Sequence, residues 1–321
     1  MALRQYFTKE KHSGLTVCEI ILTIYIAITT VMTILFWDNI DNPSELIKVR
    51  LGFIVFMCFM YGIYRIYPCR LTWLLRTMPV LLSLVYWYPE TYTFARCHPY
   101  LDHIFAHADW ILFGYQPSLE FSKNVTSVFW SELFNMGYYS YYFLMIGVLL
   151  FCFLRRFEDS QRYAFIFMAS FFTYYLWFEW MPVAGPYYYF KAIGLEAARN
   201  GIYPDLGNYF ATHNDPNNDL IHAEIRGIFS ELVHRVQIAG ENPVGAFPSS
   251  HVSMSTVTMI IAWHTRNKWL FWCLQPFYLL LCIATVYIMA HYCVDSIAGF
   301  LTACLFYYIY NKLYSQILEI S

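Results

Sequence analysis

The sequence predicts an all-α, polytopic transmembrane bundle of about eight helices, and two observations carry that prediction. Of the 321 residues 59% are hydrophobic and 21% aromatic but only 13% charged, whereas soluble domains carry roughly a quarter charged residues. Apolar runs near the bilayer-crossing length of about 20 residues then recur along the chain. Such a composition needs lipid as well as a core, and it excludes disorder, collagen and disulfide scaffolds. The net charge is −2 with no long basic block, so no nucleic-acid partner is expected.

The first run, residues 15–37, follows Arg4, Lys9 and Lys11. It is too long for a signal-peptide core and lacks a small-residue cleavage site, so it reads as an uncleaved anchor. Runs at 51–67 and 71–88 complete three N-terminal crossings. Residues 99–134 alternate aromatic, aliphatic and polar side chains, the pattern of helices lying along a membrane surface. Crossings at 134–154 and 163–181 follow. The segment 182–247 is an outer loop with a turn-rich centre at Asn214, Asp215, Pro216, Asn217, Asn218 and Asp219, and a helical stretch is expected over 220–236.

Residues 249–263 are rich in Ser and Thr and predict a bundle-facing helix. Extended to Thr265 it would be about 25 Å long. Runs at 269–290 and 292–310 close the set. The expected organisation is an N-terminal region of membrane helices and interfacial segment over 1–133, then a catalytic helical core over 134–321. With eight crossings, 12 of the 20 Lys and Arg gather in short segments on one side. By the positive-inside rule that side, with both termini, is cytoplasmic, and the segments 90–133 and 182–247 face outward. The nine cysteines form no CxxC pair and read as small buried hydrophobes.

The sharpest chemical signal is Gly245-Ala246-Phe247-Pro248-Ser249-Ser250-His251, just before the Ser/Thr-rich helix. Proline fixes φ, serine is a good N-cap, and the first-turn amides of a helix starting here attract phosphate. Taken alone, the segment is equally a capped helix with an interfacial histidine. The second signal is His291-Tyr292-Cys293-Val294-Asp295. At i and i+4 the carboxylate can accept from one imidazole nitrogen and leave the other lone pair free to act as a nucleophile. A self-satisfied boundary pair is the alternative, but ionisable residues at membrane depth default to function. Two crossings separate His251 from His291, so both reach one face.

These residues resemble the type 2 phosphatidic acid phosphatase superfamily of membrane phosphatases and phosphotransferases. GAFPSSH resembles its second motif. HYCVDSIAG resembles its third, in the form shared with the branch of inositol phosphorylceramide and sphingomyelin synthases. The resemblance spans roughly residues 134–314 and implies a six-helix-type core. It implies that His291 is the nucleophile, forming a phosphohistidine, that Asp295 orients and charges it, and that His251 is the general acid. Ser249, Ser250 and nearby amides would hold the non-bridging oxygens. No metal or cofactor is demanded.

The sequence departs from the phosphatase pattern in two places. The family's first motif, Lys with Arg-Pro seven positions on, is absent, because Lys191 is followed eight positions on by Arg199 and then Asn200. In its place stands Pro182-Val183-Ala184-Gly185-Pro186-Tyr187, similar to the Pro-rich segment of the synthase branch, which makes Tyr187 a substrate-binding candidate. Thr285 stands where the third motif's arginine is expected. Phosphate must then meet other cations, for which Lys191, Arg199, Arg226 and Arg235 are the outer candidates.

The implied function is a lipid phosphatase or phosphotransferase of sphingolipid-type lipid metabolism, inositolphosphotransferase-like. Its substrate is a phospholipid or lipid phosphate at the outer leaflet, with an alcohol acceptor if it is a transferase and membrane lipids as surroundings. A non-enzymatic lipid transporter or lipid-binding membrane protein is the alternative, but a pure binder needs neither nucleophile nor acid.

Other constellations are weaker. His103 and His107 with Asp102 and Asp109 read as an interfacial polar face rather than a metal site. Asp215, Asn217 and Asp219 imitate a calcium loop, but Leu220 and Arg226 replace its glycine and glutamate. Tyr138, Tyr139, Tyr141 and Tyr142 read as packing and interfacial anchors.

Overall fold

A computed structural model describes residues 7–8, 14–214, 227–240 and 242–320. Among them helices are the only long regular elements and there is no strand. The chain forms two units, Met1–Tyr88 and Pro89–Ser321.

The first unit holds α1 (Val17–Leu35), α2 (Pro43–Ile66), α3 (Arg70–Leu82) and most of the first turns of α4 (Leu84–Ala95). A Thr16–Glu19 capping box starts α1, satisfying two otherwise orphaned amides. The Glu19 carboxylate also receives Nε and Nη2 of Arg76 from α3. Both residues are buried, and a charge at that depth persists only when paired. Arg50 of α2 donates to Thr29 Oγ1 at 3.3 Å and lies over the Trp87 ring. The run expected to cross at 71–88 is interrupted at Ser83. Pro79 and Pro89 lie within the flanking helices, and a proline removes a helical hydrogen bond.

The second unit opens with α5 (Asp102–Phe113) and α6 (Pro117–Asn124), in the stretch expected to hold interfacial helices. Next come α7 (Val128–Tyr139) and α8 (Tyr141–Arg155), bent by 42° at Ser140. The helix expected at 134–154 therefore starts earlier and is broken. Its Ser140 hydroxyl donates back to Gly137 O at 2.6 Å, a bond that competes with continued helix. α9 (Phe157–Trp180) and the short helices α10 (Pro186–Ile193) and α11 (Leu195–Arg199) follow. The outer helix expected over 220–236 is α12 (Ile228–Gly240); Asp215, Asn217, Asp219 and Arg226 lie outside the described residues. Glu132 of α7 accepts the Phe229 and Ser230 amides at 2.8 and 2.9 Å, capping α12.

α13 (Ser250–His264), α14 (Lys268–Tyr287) and α15 (Cys293–Ile320) complete the unit. α13 is buried along most of its length and packs against α8, α9, α14 and α15. Several of its Ser and Thr side chains fold back onto its own carbonyls, as Thr256 and Thr258 do at 2.7 Å. A polar-looking sequence thus becomes an apolar-compatible rod. Close approach depends on glycines: a Cβ on Gly137 of α7 would lie 2.6 Å from Leu280 Cβ on α14.

Among the described residues four helices, α1, α2, α14 and α15, are long and apolar enough to cross a membrane, and the α7–α8 pair makes a fifth if it is one span.

Candidate active site

Ser249 is the N-cap of α13, its hydroxyl accepting the Val252 amide at 3.3 Å. The Ser253 amide bonds to Ser249 O. Of the first-turn donors, the Ser250 and His251 amides have no partner among the described residues. His251 occupies the second position of α13.

His291 stands at the same end of the bundle, in the turn between α14 and α15. That turn is tightly built. Met289 has φ of 59°, a left-handed conformation that costs a residue bearing a Cβ about 1 kcal/mol or more. Its carbonyl accepts the Tyr187 amide at 2.9 Å, and the His291 amide bonds to Thr285 O at 3.1 Å. Thr285 is fully buried and lies 3.1 Å from Ser296 Oγ. The position where an arginine was expected is therefore part of the helix packing.

The two imidazoles meet. His291 Nε2 lies 3.3 Å from His251 Nδ1, and His291 Nδ1 lies 2.7 Å from Ala246 O. A carbonyl only accepts, so Nδ1 of His291 carries the proton and Nε2 presents its lone pair. His251 Nδ1 is then the donor between the rings. Burial lowers the His291 pKa to about 4, which keeps this imidazole neutral and nucleophilic at ordinary pH.

Asp295 sits differently from the expectation. Its Oδ2 accepts the Tyr292 amide at 2.8 Å and stands 3.8 Å from His291 Nδ1, so the imidazole Nδ1–H donates to Ala246 O instead. The first turn of α15 explains this, because the carboxylate caps the amide nearest to it. Its Oδ1 is buried and has no hydrogen-bond partner among the described residues. The carboxyl group thus stays within ion-pair range of any positive charge that develops on His291.

The motifs are joined by backbone contact. The Ser249 amide donates to Asp295 O at 3.0 Å, and a Cβ on Gly299 would lie 2.6 Å from Ser249 O. The Ala246 amide donates to Val183 O at 3.0 Å, which ties in the Pro-rich segment. Gly185 in that segment has φ of 95°, and a Cβ there would lie 2.8 Å from Ala290 O.

Ser249, Ser250, His251, His291 and Asp295 are therefore brought together. Tyr187 is buried in the first turn of α10, held by its amide. Lys191 on α10 and Arg199 at the end of α11 are exposed. Arg235 on α12 pairs with Glu231 of its own helix at 2.9 Å.

Two groups of neighbours were not anticipated. The Tyr138 and Tyr141 rings pack against His251, each with centroids 4.5 Å away, although the tyrosine run reads as simple packing. Asp102 and Asp109 are buried and hydrogen-bonded to the loops around His291, rather than lying on an exposed interfacial face. A clue was present: they are seven residues apart, on one helix face.

A helical bundle with membrane-length apolar helices, and two histidines meeting at the end of a capped helix, defines a membrane phosphatase-type protein. The family model of the PAP2 superfamily matches residues 102–309, and the chain belongs to that superfamily. No curated protein and no solved structure matches it.

Proposed function

We propose that this protein transfers the phosphoryl group or phospho-headgroup of a membrane lipid through a phosphohistidine on His291. The contact between His251 and His291 carries the reading. A neutral imidazole with its Nδ1–H anchored leaves one lone pair, and that lone pair points at the second imidazole.

In the first step His291 Nε2 attacks phosphorus and the bond to the leaving oxygen breaks. The leaving alkoxide takes a proton from His251. Phosphorus does not fit within a 3.3 Å gap, so substrate parts the rings and takes the place of their hydrogen bond. The Ser250 and His251 amides hold non-bridging oxygens at the helix N-terminus, and exposed Lys191 and Arg199 supply positive charge from the outer segment. Ala246 O and Asp295 stabilise the cationic phosphoimidazole. In the second step neutral His251 takes a proton from water or an alcohol, whose oxygen displaces His291. Water gives hydrolysis and an alcohol gives transfer.

The missing Lys and Arg-Pro signature, with Pro182–Tyr187 packed against the nucleophile turn in its place, supports the inositolphosphotransferase-like branch. Basic residues distributed by the positive-inside rule support an active site at the non-cytoplasmic leaflet.

The test offers detergent-solubilised protein a panel of lipid phosphates and phospholipids, with and without inositol-type and lipid alcohol acceptors. Acceptor-dependent formation of a new phospholipid establishes the transferase, and free phosphate alone establishes a hydrolase. Neither product across the panel overturns the reading in favour of a lipid-binding protein.

A further inference from the structure

The α5 helix carries two carboxylates that the proposed chemistry leaves unused. Asp102, Ala106 and Asp109 share one face, and all three are buried. Each carboxylate takes two consecutive backbone amides. Asp102 accepts from Ala184 and Gly185, both at 2.8 Å, and Asp109 accepts from Cys293 and Val294 at 2.8 and 2.9 Å. Asp102 also accepts the hydroxyl of Tyr292 at 3.1 Å, and Tyr292 directly follows His291.

The clamped segments are those that frame the nucleophile. Val183, next to the first amide pair, holds Ala246, and Ala246 O holds His291 Nδ1. The second amide pair opens α15 two residues beyond His291. Ionised acceptors make stronger hydrogen bonds than neutral ones, especially away from water. The same helix therefore grips both the acceptor side and the nucleophile side of the His291 hydrogen bond.

We propose that Asp102 and Asp109 are positioning residues for phosphoryl transfer: through two amide pairs and Tyr292, α5 fixes the turn that aims His291 Nε2 at phosphorus. The inference rests on the reading of His291 as nucleophile.

A pH signature follows. A proton on either carboxylate faces an amide N–H and opens the clamp. Burial raises Asp102 to about 7 and Asp109 to about 6. The titratable groups around Asp102 are Tyr100, Tyr189, Tyr292 and Asp295. Those around Asp109 are Tyr203, Cys293 and Asp295. The phenols and the thiol stay neutral through this window. On α5 itself His103 faces Asp205 and His107 packs near Tyr203.

The experiment measures kcat and KM from pH 5 to 8.5 on full-length protein in mixed micelles. Phosphatidic acid is the probe, or the phospholipid donor if the panel above shows transfer. Asp102→Asn and Asp109→Asn should each lower kcat about 10-fold or more with KM within about 3-fold, the cost of a misaimed reacting group. Asp102→Asn should also move the onset of the acid limb from about pH 7 to about pH 6, Asp109→Asn should make the limb shallower below about pH 6, and the double variant should lose it, because an amide does not titrate there. A smaller folded fraction alone would scale the profile and keep the limb. Tyr292→Phe removes one hydroxyl and should lower kcat about 3- to 10-fold; it decides the matter if the Asn variants do not fold. Wild-type kcat and limb in these variants, with His291→Ala inactive, overturn the clamp alone. An active His291→Ala removes the nucleophile and the clamp together.

Discussion

His291 Nε2 faces His251 Nδ1 at 3.3 Å, across the turn that joins α14 to α15 and the first turn of α13. This contact fixes tautomers as well as positions. Ala246 O takes the Nδ1 proton of His291, so the only lone pair left on that ring is the one directed at its neighbour. The proposed nucleophile and acid thus start as neighbours that substrate parts, beside a helix N-terminus whose amides can bind an anion.

His291→Ala is expected to reduce turnover below detection. Asp295→Asn should lower kcat about 10- to 100-fold, because Asp295 acts on charge at 3.8 Å and also holds the Tyr292 amide, while the Ala246 bond survives. Single-turnover assays with acid-labile phosphoenzyme trapping check both. Equal loss of turnover in the two variants would show that Asp295 has a more direct part than this geometry gives it.

The His291 pKa of about 4 makes a prediction independent of turnover. A histidine with lowered pKa remains neutral as pH falls, until the solution reaches that value. Diethylpyrocarbonate modifies neutral imidazole, so its rate at His291, followed by peptide mass spectrometry, should change less than about 2-fold from pH 8 to 5. An imidazole of ordinary pKa would slow roughly 30-fold over that range. A 30-fold decline would show that the ring is solvated rather than buried.

Much of this site was legible because local chemistry dictated it. Pro248 and Ser249 start a helix by backbone preference, and the apolar runs between His251 and His291 set the parity that puts both rings at one end. What could not be read depended on partners remote in sequence. The i, i+4 spacing correctly brings Asp295 near His291, yet the closer acceptor is a carbonyl 45 residues upstream, and carbonyls carry no sequence signature. Asp102 and Asp109 looked like an interfacial polar face because their partners are backbone amides of loops 82 to 185 residues away. The break at Ser140 was also hidden, since hydropathy does not register a side chain that bonds to its own helix.

Tyr138 and Tyr141 flank the Ser140 break and present their rings to His251. An aromatic face favours a neighbouring cation by about 0.5–1 kcal/mol, so these rings would support the imidazolium proposed to donate to the leaving group. Replacing both by leucine should lower kcat about 5- to 30-fold. Replacing both by phenylalanine should leave it within about 2-fold, since the face is retained. Equal loss in both pairs of variants would instead point to the hydroxyl groups.

Gly299 sets the distance between the two motifs. The Ser249 amide reaches Asp295 O at 3.0 Å only because α15 has no Cβ at this position, where one would stand 2.6 Å from Ser249 O. The obstructing atom is backbone at the N-cap of α13, two residues before His251, and it has no rotamer by which to yield. Gly299→Ala must therefore push the α13 N-terminus away from α15 and carry His251 with it. A displacement near 1 Å costs about 100-fold where reacting groups are prealigned, so kcat should fall about 10- to 100-fold. Gly147→Ala on α8 provides the control, because its Cβ would meet nothing within 4 Å, and it should match wild type. If Gly299→Ala retains full kcat, the spacing between α13 and α15 does not govern the alignment of the histidines.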